Sequence, residues 1–545
     1  MATETGGPVG GGGETAGQGP ARGIRRAWAL FLIGCVVFVG VGRLAAYWSA
    51  DQALAEAAET AETAETADAG GPNRLSPMME LQGKVQLGVR EVAAGLAGAE
   101  AGDGEPAGAA GQGLLMGGLG PERTVRDLRR FVETPTDELA WLVVGGEMIG
   151  PEWVATEAAA REPDGGADEP PSGPAAERLR AARAAVLEIY AARAAGELEP
   201  ADPADGLLGE VERTAVLGEL GFFGRVALGG AERDQAMDEA AAAAGALIAA
   251  SVVIFVLVGL GVLALIAAIA LIAAGKIRSG YAADARSAAA ADPAAAGWGP
   301  AWVEAAALFV WSLAAVRVLG DAAAWAVVAA GLGGAGLAVV GVLGFVLQWA
   351  TGLAVLWPVW RGGVGWGAWR WAVGWHARGG GAAGFLKEMV LGLCGYLAGL
   401  PIVAVMFAVS LALLGLFEAT PSHPVQEMVR GAGVWGLAVV FVLACLWAPF
   451  VEELVFRGVL YHHLRGLLGL GSLGSGVCGM VVSGVVSGVI FAAIHPQGLL
   501  LTPALASLGF VFAMIREWRG SVAGAITAHA VHNAAVVSLA VAVLG

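Results

Sequence analysis

At 545 residues, 57% of them hydrophobic and 15% charged, the chain is too long for one small domain and too apolar for an ordinary soluble one. Its formal charge of −16 is unevenly placed: residues 51–240 hold 36 Asp+Glu against 15 Lys+Arg, and the remainder holds 12 against 17. So acidic a segment repels the phosphates of nucleic acid and of anionic lipid, and the four cysteines, all inside apolar runs, give neither a disulfide framework nor a zinc-finger spacing.

In chain order, residues 1–26 read as a disordered cytoplasmic tail, Gly-rich and ending in Arg22, Arg25 and Arg26. The apolar stretch 27–48 follows, interrupted only by Arg43, and is expected to be a retained membrane anchor with its N-terminus in the cytoplasm, where the arginines precede it. Residues 51–239 are then an acidic, mainly helical extracytoplasmic domain, with apolar side chains at three- and four-residue intervals in "LQGKVQLGVREVAAGLAGAE", "ERTVRDLRRFVE" and "AAERLRAARAAVLEIYAARAAGELE". The triplet repeat at 58–66 is too short for a solenoid and reads as a solvated helix extension or a linker. No catalytic cluster stands out in this domain, and any partner it binds is left unnamed by the sequence.

Uncharged runs at 240–275, 322–360, 389–417, 431–451, 466–515 and 520–545 each reach the roughly 20 residues a helix needs to cross the hydrocarbon core. A further span at about 300–320 carries Glu304 and Arg317 near its ends, where snorkelling is the expected role. Residues 322–360 read either as one tilted helix or as a helix with a Gly-rich bend at 331–336. The fold class is therefore all-α: a polytopic transmembrane bundle of about 8–9 spans with an inserted helical domain. Spans and cytoplasmic loops fill 240–384, and a last transmembrane domain fills 385–545.

Polar side chains in that last domain fall in three places: "EELVFR" (452–457), "FAAIH" (491–495) and "HAVHN" (529–533). Each is built on a four-residue step, so Glu453 with Arg457, Phe491 with His495, and His529 with Asn533 share a helix face. Glu453 then pairs with Arg457, which makes the charges tolerable in lipid, and Glu452 is left for another polar partner. A desolvated carboxylate suits proton transfer, His495 can orient a water or hold a metal with it, and His529 and Asn533 can stabilise an oxyanion. His532 reads as a packing or supporting histidine, and His462 and His463 as solvated residues at the membrane surface. For Glu452 to meet His495, its helix must continue through "GVLYHHL".

The ordered set Glu452-Glu453-x-x-x-Arg457, Phe491-x-x-x-His495 and His529-x-x-x-Asn533 resembles the motifs of the CPBP or Abi family of intramembrane proteases, which includes the Rce-type CAAX endopeptidases. The resemblance covers residues 385–545. It implies an intramembrane endopeptidase acting on a membrane-associated, CAAX-like substrate, with Glu452 and His495 activating water and His529 and Asn533 binding the oxyanion. It leaves metal use open: Glu452, His495 and His529 would be the set for a zinc ion, although HExxH is absent. Composition and short loops suggest a bacterial plasma membrane. Two other functions compete, a proton-coupled transporter in which buried Glu and His form a relay, and a catalytically idle scaffold for the outer domain. The transporter predicts internal repeats, and none is seen.

Overall fold

In a computed structural model of the full chain, the structure describes residues 23–39, 75–100, 120–160, 173–297, 299–330, 332–417, 429, 433–468, 473–495 and 497–544. Among them are helices and connecting turns and no strand, so the molecule is an all-α bundle. Most of the expected tail, residues 40–48 of the anchor, the repeat at 58–66 and the connector at 418–428 lie outside the described residues.

The helices are α1 (23–39), α2 (Pro77–Glu100), α3 (Pro121–Leu128), α4 (Pro135–Met148), α5 (Pro151–Ala159), α6 (Pro174–Ala194), α7 (Glu210–Leu220), α8 (Phe222–Leu228), α9 (Gly230–Ala273), α10 (Gly280–Ala291), α11 (Pro300–Ala329), α12 (Gly333–Thr351), α13 (Trp357–Trp360), α14 (Trp366–Val373), α15 (Gly381–Leu416), α16 (Val434–Leu467), α17 (Leu473–Ala493), α18 (Thr502–Arg519) and α19 (Ala523–Leu544). They fall into two compact units.

The acidic unit is organised around α4, which is buried from Leu139 to Val144 on all sides. Its start is fixed chemically: the Thr134 side chain accepts from the Asp137 amide, Asp137 accepts from the Thr134 amide, and Pro135 occupies the first turn. Met79 and Leu87 of α2, Val186 and Ile189 of α6, Phe223 of α8 and Met237 of α9 close around it. A charge cluster centred on Glu147 lies inside this core. Glu147 accepts from Arg193 at 3.0 Å, from Arg233 at 2.9 Å and from the Tyr190 hydroxyl at 3.1 Å. Burial, reinforced by the Glu147 carboxylate, pushes the Tyr190 hydroxyl's ionisation well above its usual range.

Eight helical segments among the described residues, most of their length in the second unit, are long and apolar enough to cross a membrane: α9, α11, the segment Val339–Trp360, α15, α16, the segment Gly476–Ala493 of α17, the segment Leu499–Arg519 containing α18, and the segment Ala523–Val543 of α19. Ala27 and Phe31 of α1 are buried in this unit's main core with Trp302, Phe309, Val451, Phe456 and Phe491.

Three local expectations are corrected. The span expected at 300–320 runs on to Ala329, and the next helix begins at Gly333, so of the two readings of 322–360 the one with an interruption in the Gly-rich 331–336 holds; Arg317 and Asp321 pair across one turn at 3.0 Å. Glu304 does not snorkel: its Oε2 accepts from the Trp357 indole at 3.0 Å. His462 and His463 are fully buried rather than solvated, and all four ring nitrogens are engaged. His462 bonds Tyr281 at 2.8 Å and the Ala295 carbonyl at 2.9 Å; His463 bonds the Gly297 carbonyl at 2.7 Å and the Trp28 indole at 3.1 Å. Apolar surroundings leave a buried imidazole no water, so loop carbonyls and ring donors take its place.

Candidate active site

The glutamates sit at the middle of α16. The helix is continuous through "GVLYHHL", and Glu452 lies about 27 Å along it from Val434 at 1.5 Å per residue, which places it deep in a 34-residue rod. It lies in a short α-helical piece, Ala448–Glu453, flanked by π-helical segments Val442–Trp447 and Leu454–Leu460. Such widened turns are frequent at functional sites because they re-aim the side chains that follow them.

Glu453 and Arg457 are fully buried and bridge at 2.8 Å. The second guanidinium nitrogen donates to the Gly509 carbonyl at 3.0 Å, and the cation lies over the Phe491 and Phe512 rings at 4.6 and 5.3 Å. Glu453 also accepts from His529 Nδ1 at 2.9 Å. This contact, across 76 residues of sequence, gave no signal in local spacing. A carboxylate already bonded by Arg457 only accepts, so His529 Nδ1 carries the hydrogen and its Nε2 points elsewhere.

His495 reaches the same arrangement by a different route. Its Nδ1 donates to the Phe491 carbonyl at 2.6 Å, one of the carbonyls in the last turn of α17 that lacks a helical donor. Its Nε2 is thereby an acceptor, and it faces Glu452 Oε2 at 3.8 Å. His529 Nε2 faces the same oxygen at 3.9 Å. That oxygen is buried and has no hydrogen-bond partner among the described residues. The His529 ring is held in place by the Phe512 ring, stacked at 5.0 Å, and by the edge of Phe491 at 5.8 Å.

The structure thus brings Glu452, Glu453, Arg457, Phe491, His495 and His529 together. Asn533 stands one turn further along α19, where its Nδ2 donates to the Ala444 carbonyl at 2.7 Å and leaves one amide hydrogen over. His532, three residues from His529, bonds the Tyr396 hydroxyl at 2.8 Å.

A metal would need Glu452 Oε2 and the two Nε2 atoms as ligands. Two ligands of one tetrahedral zinc ion at about 2.0–2.1 Å stand roughly 3.4 Å apart. The observed separations are wider, and no group of three His, Cys, Asp or Glu among the described residues is disposed to hold an ion. The residues as placed do not fit the ion, and no step below passes through one.

Residues 434–535 match the family model described as type II CAAX prenyl endopeptidase Rce1-like. This segment is Rce1-like. No curated protein and no solved structure matches the chain. The Rce1-like segment begins at α16 and ends within α19, so it contains every residue of the three motifs. It points to a protease and, with eight apolar helices, to an integral membrane protein whose substrate is itself associated with the bilayer.

Proposed function

We propose that the chain is an intramembrane endopeptidase that hydrolyses a peptide bond of a membrane-associated, CAAX-like substrate with water activated by Glu452. The observation that carries this reading is the lone Glu452 oxygen facing two imidazole Nε2 atoms at 3.8 and 3.9 Å. Three acceptors turned toward one point need hydrogens, and a water at ordinary hydrogen-bond distance supplies two. His529, its Nδ1 tied to Glu453, has Nε2 turned to the same point, and when that nitrogen carries a hydrogen it is the donor for the oxygen that becomes negative in the transition state.

Glu452 takes a proton from the water, and the hydroxide adds to the carbonyl carbon. His529 and the remaining amide hydrogen of Asn533 hold the oxyanion. The carbon–nitrogen bond then breaks, and Glu452 returns the proton to the departing amine. His495, fixed by the Phe491 carbonyl, keeps the water on the line of attack.

The test uses the full chain in phospholipid vesicles with a farnesylated CAAX-type peptide and its unprenylated counterpart, products being read by mass spectrometry. Wild type is expected to release the C-terminal fragment. Glu452→Gln should lose about 10³-fold or more in kcat, the scale of a general base. Turnover after dialysis against a chelator is expected to persist, because the separations above suit a shared water. Proton flux lost on Glu452→Gln without any cleavage by wild type would instead make the chain a transporter.

A further inference from the structure

We infer that Tyr396, on α15 and outside the Rce1-like segment, is a positioning residue for His529, so that the working unit of the protease includes α15. The inference rests on the function proposed above for His529.

Tyr396 touches a neighbour of that histidine on α19 and one of the two rings that hold it. Its hydroxyl is hydrogen-bonded to His532 Nδ1 at 2.8 Å, and His532 is three residues from His529, the neighbouring position around α19. Its ring also packs at 6.2 Å against Phe512, the ring stacked on the His529 imidazole at 5.0 Å. The hydroxyl thus sets the rotation of α19, and the ring backs the surface on which His529 lies.

The helix that carries Tyr396 is fixed to both partners at backbone range. At Gly392 a Cβ would overlap the backbone of Gly524 in α19; at Gly399 it would overlap the Val511 side chain of α18, and at Gly395 it would lie 2.9 Å from Ile515. Glu388 pairs with Arg519 through two bonds of 2.8 and 2.9 Å at one end of the contact, and Ser410 accepts from the Ala504 amide at 3.2 Å at the other. A tyrosine on so fixed a helix can transmit its position. One on a loosely packed helix could not.

The rotation matters because His529 must present Nε2 toward Glu452 while Nδ1 stays on Glu453. A small turn of α19 moves the first without breaking the second, and misplacements near 1 Å cost about 10²-fold in rate.

Tyr396→Phe removes the hydroxyl and keeps the ring. In the vesicle assay with the farnesylated peptide, kcat is expected to fall about tenfold with KM changed less than about twofold and an unaltered melting temperature. The double variant Tyr396→Phe/His532→Phe should lose no more than the worse single variant; additive losses would mean that the two side chains act separately and would overturn the inference. A second readout does not need turnover. The chain has only seven histidines, so ¹⁵N-histidine spectra can follow the His529 ring. Its signals should shift or broaden in Tyr396→Phe while those of His462 and His463 stay. Unmoved His529 signals refute the positioning role whatever the assay gives, whereas a wild type that cleaves nothing but shows the shift refutes only the proposed function.

Discussion

At the scale of single residues, the adjacent glutamates are neighbours in sequence and opposites in circumstance. Glu453 is fully buried and bonded through Oε1 to both Arg457 and His529, its Oε2 left without a partner; Glu452 turns its own unpartnered, buried Oε2 toward two imidazole nitrogens at 3.8 and 3.9 Å. Replacing each by glutamine therefore separates chemistry from architecture. Glu452→Gln leaves every observed bond in place, so the variant should melt with wild type while losing turnover. Glu453→Gln removes the charge that compensates the buried Arg457 guanidinium, whose other contacts are the Gly509 carbonyl and the Phe456, Phe491 and Phe512 rings. Breaking one side of such a buried pair costs about 3–5 kcal/mol. That loss should appear in denaturant or thermal unfolding of the detergent-solubilised protein, and an unchanged melt would mean that Glu453 does not compensate Arg457.

At the scale of elements, the site depends on how closely helices approach. Helices α17 and α18 meet backbone to backbone: a Cβ on Gly488 would overlap the Ala506 carbonyl, and one on Gly509 would stand 2.7 Å from the Gly488 Cα. Close approach through small residues is how membrane helices gain packing without a hydrophobic driving force. It also delivers the Gly509 carbonyl to Arg457 at 3.0 Å. Gly488→Ala is accordingly expected to lower both melting temperature and kcat, the latter by tenfold or more, since α18 carries Phe512 and must move away. On the same α17, Gly476 has nothing within 4 Å of its would-be Cβ, so Gly476→Ala should be neutral or stabilising by about 0.5–1 kcal/mol through helix propensity. Equal effects of the two substitutions would mean that helix propensity, not interhelical distance, decides.

At the scale of the whole molecule, what the sequence made legible follows from which forces are local. Apolar runs gave the spans and four-residue steps gave the motif pairs, because both express the period of one helix. Contacts between helices were hidden: Glu453 with His529, Tyr396 with His532, and the burial of His462 and His463 depend on partners 76, 136 and more than 160 residues away. Helix α4 was missed for a related reason, since a helix buried on every side has no polar face to give it a period. The acidic unit supplies the last test. Its core is closed by the first turns of α9, where Arg233 pairs with Glu147 at 2.9 Å, Met237 and Ala240 are buried, and Gly88 of α2 approaches the Ala240 carbonyl too closely for a Cβ. A fragment of residues 75–246 retains all of these and should melt as one cooperative, mostly helical unit by circular dichroism. A fragment of residues 75–229 keeps α2 to α8 but leaves Glu147 with one arginine and uncovers the α2 face. It should lose the cooperative transition, because a buried charge missing a partner costs about 3–5 kcal/mol, a large share of a domain's stability of about 5–15 kcal/mol. If the shorter fragment melted as sharply and as high as the longer, the start of α9 would be dispensable to that core.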